Sequence, residues 1–156
     1  MVRHTSYGYG CGNSIMELLF HNDELVTKWV SAQQPYPVDF NSGTRAIGVV
    51  KNGGLIGGAV YSSYRDAPHG GSMEITIAGK PGWLTRHSIR VLLFYPFEDC
   101  GCSRVTCLVA RGNRRSRDLA ERLGFKFEGT ARRVFSPHKS GDCMIYGLLK
   151  SENRWI

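Results

Sequence analysis

The stretch "RVTCLVARGNRRSRDLAERLGFKFEG", residues 104 to 129, limits the possible folds more than any other part of the chain. Its opening "RVTCLV" (104 to 109) is a continuous apolar run that reads as a strand. Ser116, Leu119, Ala120 and Leu123 then recur at helical spacing and define a buried stripe. Gly124 is a natural residue to end that helix, because it adopts the left-handed conformation without penalty. "FKFEG" follows at once as another strand. Arg114, Arg115, Arg117, Asp118 and Arg122 occupy the rest of the helix surface, a charged face that water satisfies without any partner.

Upstream, "RAIGVVK" and "LIGGAVYSS" flank Asn52-Gly53-Gly54, which predicts a hairpin because Asn-Gly accepts the positive φ angles of a tight turn. Gly57 and Gly58 inside the second strand predict a bulge or a close backbone approach. "SMEITIAG" (72 to 79) reads as a third strand. Ile89, Leu92, Leu93 and Phe97 predict an amphipathic helix from about Thr85 to Cys100, which Pro96 should kink or end near its last turn. "CMIYGLL" is the closing strand. Near the start, Ser14-Ile-Met-Glu17 has a capping-box pattern and predicts a short helix. A second helix should begin at Asn22-Asp23-Glu24, with Leu25, Val26, Trp29 and Val30 on its apolar face. "QQPYPVDFNSG" (33 to 43) and "YSSYRDAPHGG" (61 to 71) read as loops.

At 156 residues with 42% hydrophobic and 21% charged residues, the chain is expected to form one globular domain over 1–156, an α/β (α+β) fold with one mixed sheet and helices on both faces. No apolar run approaches the roughly 20 residues that span a bilayer, so no membrane partner is expected. "MVRHTSYGYGCGNS" lacks the apolar core of a secretory signal, which points to the cytoplasm. The five cysteines (Cys11, Cys100, Cys102, Cys107, Cys143) are expected to be reduced and mostly packed, and their spacing argues against a metal site. A net charge of +7 attracts anions of some kind, such as a phosphorylated cofactor, a nucleic acid or an acidic substrate.

Read together, "LLFYPFEDCGCSRVTCLVARGNRRSRDLAERLGFKFEGTARR" and the later "DCMIYGLL" resemble the GCN5-related N-acetyltransferases, in the branch with ribosomal-protein N-terminal acetyltransferases. The resemblance covers about residues 45 to 150 and is more specific in its second half. It implies a sheet splayed between the strands at 72–79 and 104–109, with acetyl-CoA as co-substrate and its pantetheine arm pairing with the backbone of Thr76 and Ile77. Asn113 matches the family asparagine that bonds this arm, although asparagine also caps helices unaided. Ser116 matches the family serine near the thioester sulfur, and it also suits a close helix–strand approach. The phosphate loop departs from the family. In "KPGWLTRHS", Trp83 and Thr85 replace two small residues, so either Leu84, Thr85, Arg86, His87 and Ser88 hold the diphosphate or Trp83 has closed the site.

The resemblance implies transfer of an acetyl group to a primary amine, for which a carboxylate base is expected. Glu74 is the leading candidate, with Glu128 and then Asp142 behind it, and Ser116 is the candidate acid because the tyrosine position of many relatives is Ala120 here. The acceptor is left open among a protein N-terminus, a lysine, a polyamine, an aminoglycoside-like molecule and an amino-modified nucleotide. Monomer and homodimer are both open. The competing reading is a basic nucleic-acid- or ribosome-binding module on a catalytically degenerate fold, suggested by the arginines between Arg111 and Arg133 but opposed by Asp118, Glu121 and Glu128 among them.

Overall fold

The computed structural model describes residues 15–36, 38, 40 and 43–156. Cys11, Ser14 and residues 37, 39, 41 and 42 of the proline-rich loop lie outside the described residues. Seven strands are hydrogen-bonded in the order β1-β2-β3-β4-β5-β7-β6. They are β1 (Met16–Leu19), β2 (Arg45–Lys51), β3 (Gly54–Arg65), β4 (Gly71–Gly79), β5 (Cys102–Ala110), β6 (Lys126–Ala131) and β7 (Cys143–Leu149). The helices are α1 (Asp23–Ala32), α2 (Arg86–Phe94) and α3 (Arg114–Leu123). The β4–β5 pairing is parallel, whereas β1–β2, β2–β3, β5–β7 and β6–β7 are antiparallel, so the sheet is mixed as expected. Among the described residues no helix is long and apolar enough to cross a membrane.

Contacts group the chain into two compact units, the first comprising residues up to Ser62 with Thr76–Leu92, the second Ser63–Ile75 with Leu93–Ile156. In the first, Val26 and Val30 of α1 pack on Ala46 and Val60, joined by Leu19, Trp29 and Leu55. Leu25 does not join this face and is 49% exposed. The Asp23 carboxylate ties α1 to β2 by accepting from the Ala46 amide at 2.8 Å and from Arg45 at 3.2 Å. The expected hairpin is present, with φ of +52° at Asn52 and +78° at Gly53.

Two expectations fail. Met16–Leu19 is a strand rather than the short helix predicted from residue 14 onward. Its register sets Met16 against Lys51 and Leu18 against Val49, and a full backbone ladder outweighs a local cap pattern. Similarly, residues 61–65 continue β3, so only the tip of the predicted 61–71 loop is a turn.

Pro96 acts as predicted. The α-helical pattern stops at Phe94 and widens into a π-turn over Tyr95–Asp99, closed by the Cys100 amide on the Tyr95 carbonyl at 3.0 Å. Having no N–H, Pro96 leaves the carbonyl of Leu92, four residues back, without its helical donor. The buried Tyr61 hydroxyl donates to that carbonyl at 2.7 Å.

The second unit is built on the β5–β7–β6 ladder, with Val105, Tyr146 and Leu148 buried together with Ala120 and Leu123 of α3. Gly124 ends α3 at φ +101°, with the Phe125 amide returning to Ala120 O at 3.0 Å. Asp142 clamps the turn between β5 and α3. Its carbonyl accepts from the Arg111 amide at 2.8 Å, and its buried carboxylate accepts from the Arg133 amide at 2.9 Å and the Arg133 guanidinium at 2.7 Å. These two bonds hold Arg133 at φ +57°, a conformation unfavourable for a long side chain.

Two measurements check these ties. Tyr61→Phe leaves the Leu92 carbonyl unsatisfied and should lower unfolding free energy by about 1–3 kcal/mol in urea, with the m-value unchanged; an unshifted midpoint contradicts the assignment. The Arg133 amide, then its guanidinium and Arg111, hold the Asp142 carboxyl below its ordinary value of 3.8. A carboxyl depressed on folding stabilises above its unfolded pKa and loses that contribution as pH falls through the folded pKa. Asp142→Asn should therefore be less stable than wild type at pH 7, with the gap narrowing below about pH 4. A gap that stays constant down to acid pH contradicts this.

Candidate functional site

In the first unit, the segment between β4 and α2 carries the predicted anion-binding residues. The Lys80 amide donates to Ile56 O at 2.7 Å, and the chain turns through Gly82 at φ +86° so that the Trp83 amide reaches Lys80 O at 3.2 Å. Trp83 is 5% exposed. Its indole lies on the backbone of Gly57 in β3 and Gly79 in β4, where a Cβ on either glycine would overlap the ring. The close approach expected at Gly57 is therefore the approach of an indole, and the bulge is beside it in the same strand: Val49 pairs with Gly57 and Val50 with Leu55, which leaves Ile56 of β3 as the extra residue.

The start of α2 is closed by a reciprocal pair. The Thr85 amide donates to Ser88 Oγ at 2.8 Å, and the Ser88 amide donates to Thr85 Oγ1 at 3.1 Å. Ser88 is buried and its hydroxyl is also within bonding distance of Trp83 O, so it serves the cap. Leu84 is half-buried, whereas Thr85, Arg86 and His87 are exposed. With Lys80 also exposed and no acid in the first turn, basic groups surround the positive end of the helix. Thr76 and Ile77 lie half-buried in β4.

In the second unit, the parallel β4–β5 ladder runs from Gly71 opposite Cys102 to Glu74 opposite Thr106. β4 continues to Gly79 and β5 to Ala110, beyond the paired residues. Glu74 is thus the last residue of β4 that pairs with β5, and it is half-buried. Asn113 caps α3, its side-chain oxygen accepting from the Ser116 amide at 3.3 Å. Ser116 sits half-buried in the first turn, and Ala120, at the absent tyrosine's position, is in the core at 3% exposure. Arg114, Arg115 and Arg122 face solvent, while Arg117 donates to the Arg111 carbonyl at 3.0 Å.

The three candidate carboxylates differ in environment. Glu128 forms a two-pronged pair with Arg104 at 2.9 and 2.5 Å, lying over Gly147 where a Cβ would collide with it. The Arg104 hydrogen bonds push its carboxyl below the ordinary range. Asp142 is likewise committed to Arg133 and Arg111. A carboxylate held ionised by arginines is a weaker proton acceptor. The Arg104–Glu128 pair had no local sequence signal, because its partners lie 24 positions apart and meet only across the sheet.

Cys102, Cys107 and Cys143 are buried and Cys100 half-buried, all as free thiols. Burial, with smaller contributions from Cys143 and Glu74, pushes the Cys107 thiol up to about 12, so it behaves as a packed apolar group. Among the described residues no group of three or more His, Cys, Asp or Glu is placed to hold a metal ion.

No protein-family model matches the chain. A Bacillus subtilis (strain 168) protein provisionally named a ribosomal N-acetyltransferase, YdaF, is 41% identical over 64 residues, covering 40% of this chain. The matched segment spans only 35% of that relative's length. The ribosomal-protein-S5-alanine acetyltransferase of Vibrio fischeri superposes with a TM-score of 0.66 over 97% of this chain and 99% of its own, at 13% identity. RimJ of Mycobacterium smegmatis, solved in complex with CoA-disulfide, gives 0.65 over 88% and 83%, at 12% identity. At such identities the two structures establish the fold, and the Bacillus relative adds the sequence likeness. The chain therefore has the fold of these acetyltransferases, and over 64 residues it is similar in sequence to the Bacillus protein.

Proposed function

We propose that the 156 residues act as one acetyltransferase domain that moves an acetyl group from acetyl-CoA to a primary amine. One observation carries this reading: β4 runs on through Thr76–Gly79 past the last parallel pair at Glu74. Strand backbone beyond its ladder offers N–H and C=O groups to an extended, amide-bearing arm. In this reading Thr76 and Ile77 pair with the pantetheine arm, Asn113 bonds it while capping α3, and Leu84, Thr85, Arg86, His87 and Ser88 form the segment that receives the diphosphate. Ser88 contributes there through its cap with Thr85 rather than through a free hydroxyl.

Acetyl-CoA supplies the activated acyl group. The amine nitrogen forms an amide bond at the thioester carbonyl carbon as the carbon–sulfur bond breaks. An acceptor such as lysine, with a pKa near 10.4, arrives as an ammonium and must first lose a proton. Glu74 takes that proton, directly or through water, and Ser116 or solvent returns one to the departing thiolate. The Ile77 N–H polarises the carbonyl. The name of the Bacillus relative favours a ribosomal protein as acceptor, small amines being the other class. A cytoplasmic protein, monomeric or homodimeric, with no metal and no membrane partner, fits this chemistry.

The test is a panel of amines, including peptides with free N-termini, lysine and spermidine, incubated with acetyl-CoA and read by mass. Acetylation of at least one is expected, and transfer to none contradicts the reading. With the accepted amine, Glu74→Gln should slow turnover about 100-fold at pH 7 and much less at pH 9, where more of the amine is already neutral. An unchanged pH profile removes Glu74 from the mechanism.

A further inference from the structure

We propose that Trp83 is a positioning residue for the cofactor segment, an internal peg that holds Leu84–Ser88 in place for the diphosphate of CoA. This rests on the acetyltransferase reading and adds to it a residue that touches no substrate. The segment from Lys80 to Thr85 has little else to fix it. Lys80, Pro81 and Gly82 are exposed, and among the described residues its backbone is tied to a strand by the Lys80 amide on Ile56 O. The indole supplies the missing constraint. It is buried at 5% exposure against two glycines on adjacent strands, in a slot that exists because neither has a side chain.

The peg is coupled directly to the helix cap. Trp83 O lies 3.3 Å from Ser88 Oγ, the same hydroxyl that accepts from the Thr85 amide. Fixing the ring therefore fixes both the carbonyl beside it and the first turn of α2. Groups that bind a ligand must be held within about 0.5 Å of their productive positions, and a large rigid aromatic ring does this with only two side-chain torsions to restrain. The exposed Lys80 and Arg86 on either side of the peg then present positive charge at a defined place. Trp83 does not close the site in this account; by lying inward on Gly57 and Gly79 it leaves the outer side of the segment to the ligand.

Calorimetric titration with CoA and with pantetheine, which lacks the diphosphate, separates positioning from general damage. Trp83→Ala should weaken CoA about tenfold and leave pantetheine unchanged, and Trp83→Phe should recover most of the loss. Gly57→Ala, which forces the ring from its slot while keeping it in the chain, should weaken CoA in the same selective way and carries the test if Trp83→Ala does not fold. Equal loss for both ligands, or no loss for CoA, overturns the inference alone. Absence of CoA binding to the wild-type protein overturns the acetyltransferase reading and this inference with it.

Discussion

A backbone amide or carbonyl removed from water must find a partner, and the places where secondary structure fails to provide one organise this protein. Pro96 deprives Leu92 of its donor, and Tyr61 replaces it. The first amides of α2 and α3 have no acceptor in their own helices, and Thr85, Ser88 and Asn113 supply oxygens to them. In each case one side chain repairs a defined gap. β4 beyond Glu74 is where the proposed cofactor completes the same pattern from outside the chain.

Charge is distributed with a similar economy. The net +7 suggested a polyanionic partner, yet several arginines have internal work. Arg104 holds Glu128, Arg111 and Arg133 hold Asp142, and Arg117 caps a carbonyl. Those pairings also sort the carboxylates. Two of the three considered as base, Glu128 and Asp142, are committed to arginines, and Glu74 at the end of the parallel β4–β5 ladder is the one proposed.

Most of the architecture was legible because its signals are local. The stripe through Ala120 and Leu123, the Gly124 stop, the Asn52-Gly53 turn and the proline in the helix each act within a few residues, and each is found where expected. Met16–Leu19 was misread because a capping pattern is also local, whereas the pairing with Lys51 and Val49 that overrides it is not. The same distinction governs the site. Asn113 announced its cap through its position before the helix, but the Arg104–Glu128 pair and the seating of Trp83 depend on strands brought together by the fold. Gly57 showed that something would come close, without showing that it would be a tryptophan.

The most direct measurement is hydrogen exchange of the β4 amides with and without saturating CoA. The account predicts that protection rises within Thr76–Gly79 on adding CoA, while β6 and β7, already laddered, change little. Unchanged exchange in Thr76–Gly79 at saturation would contradict the claim that this length of strand is where the cofactor's arm pairs.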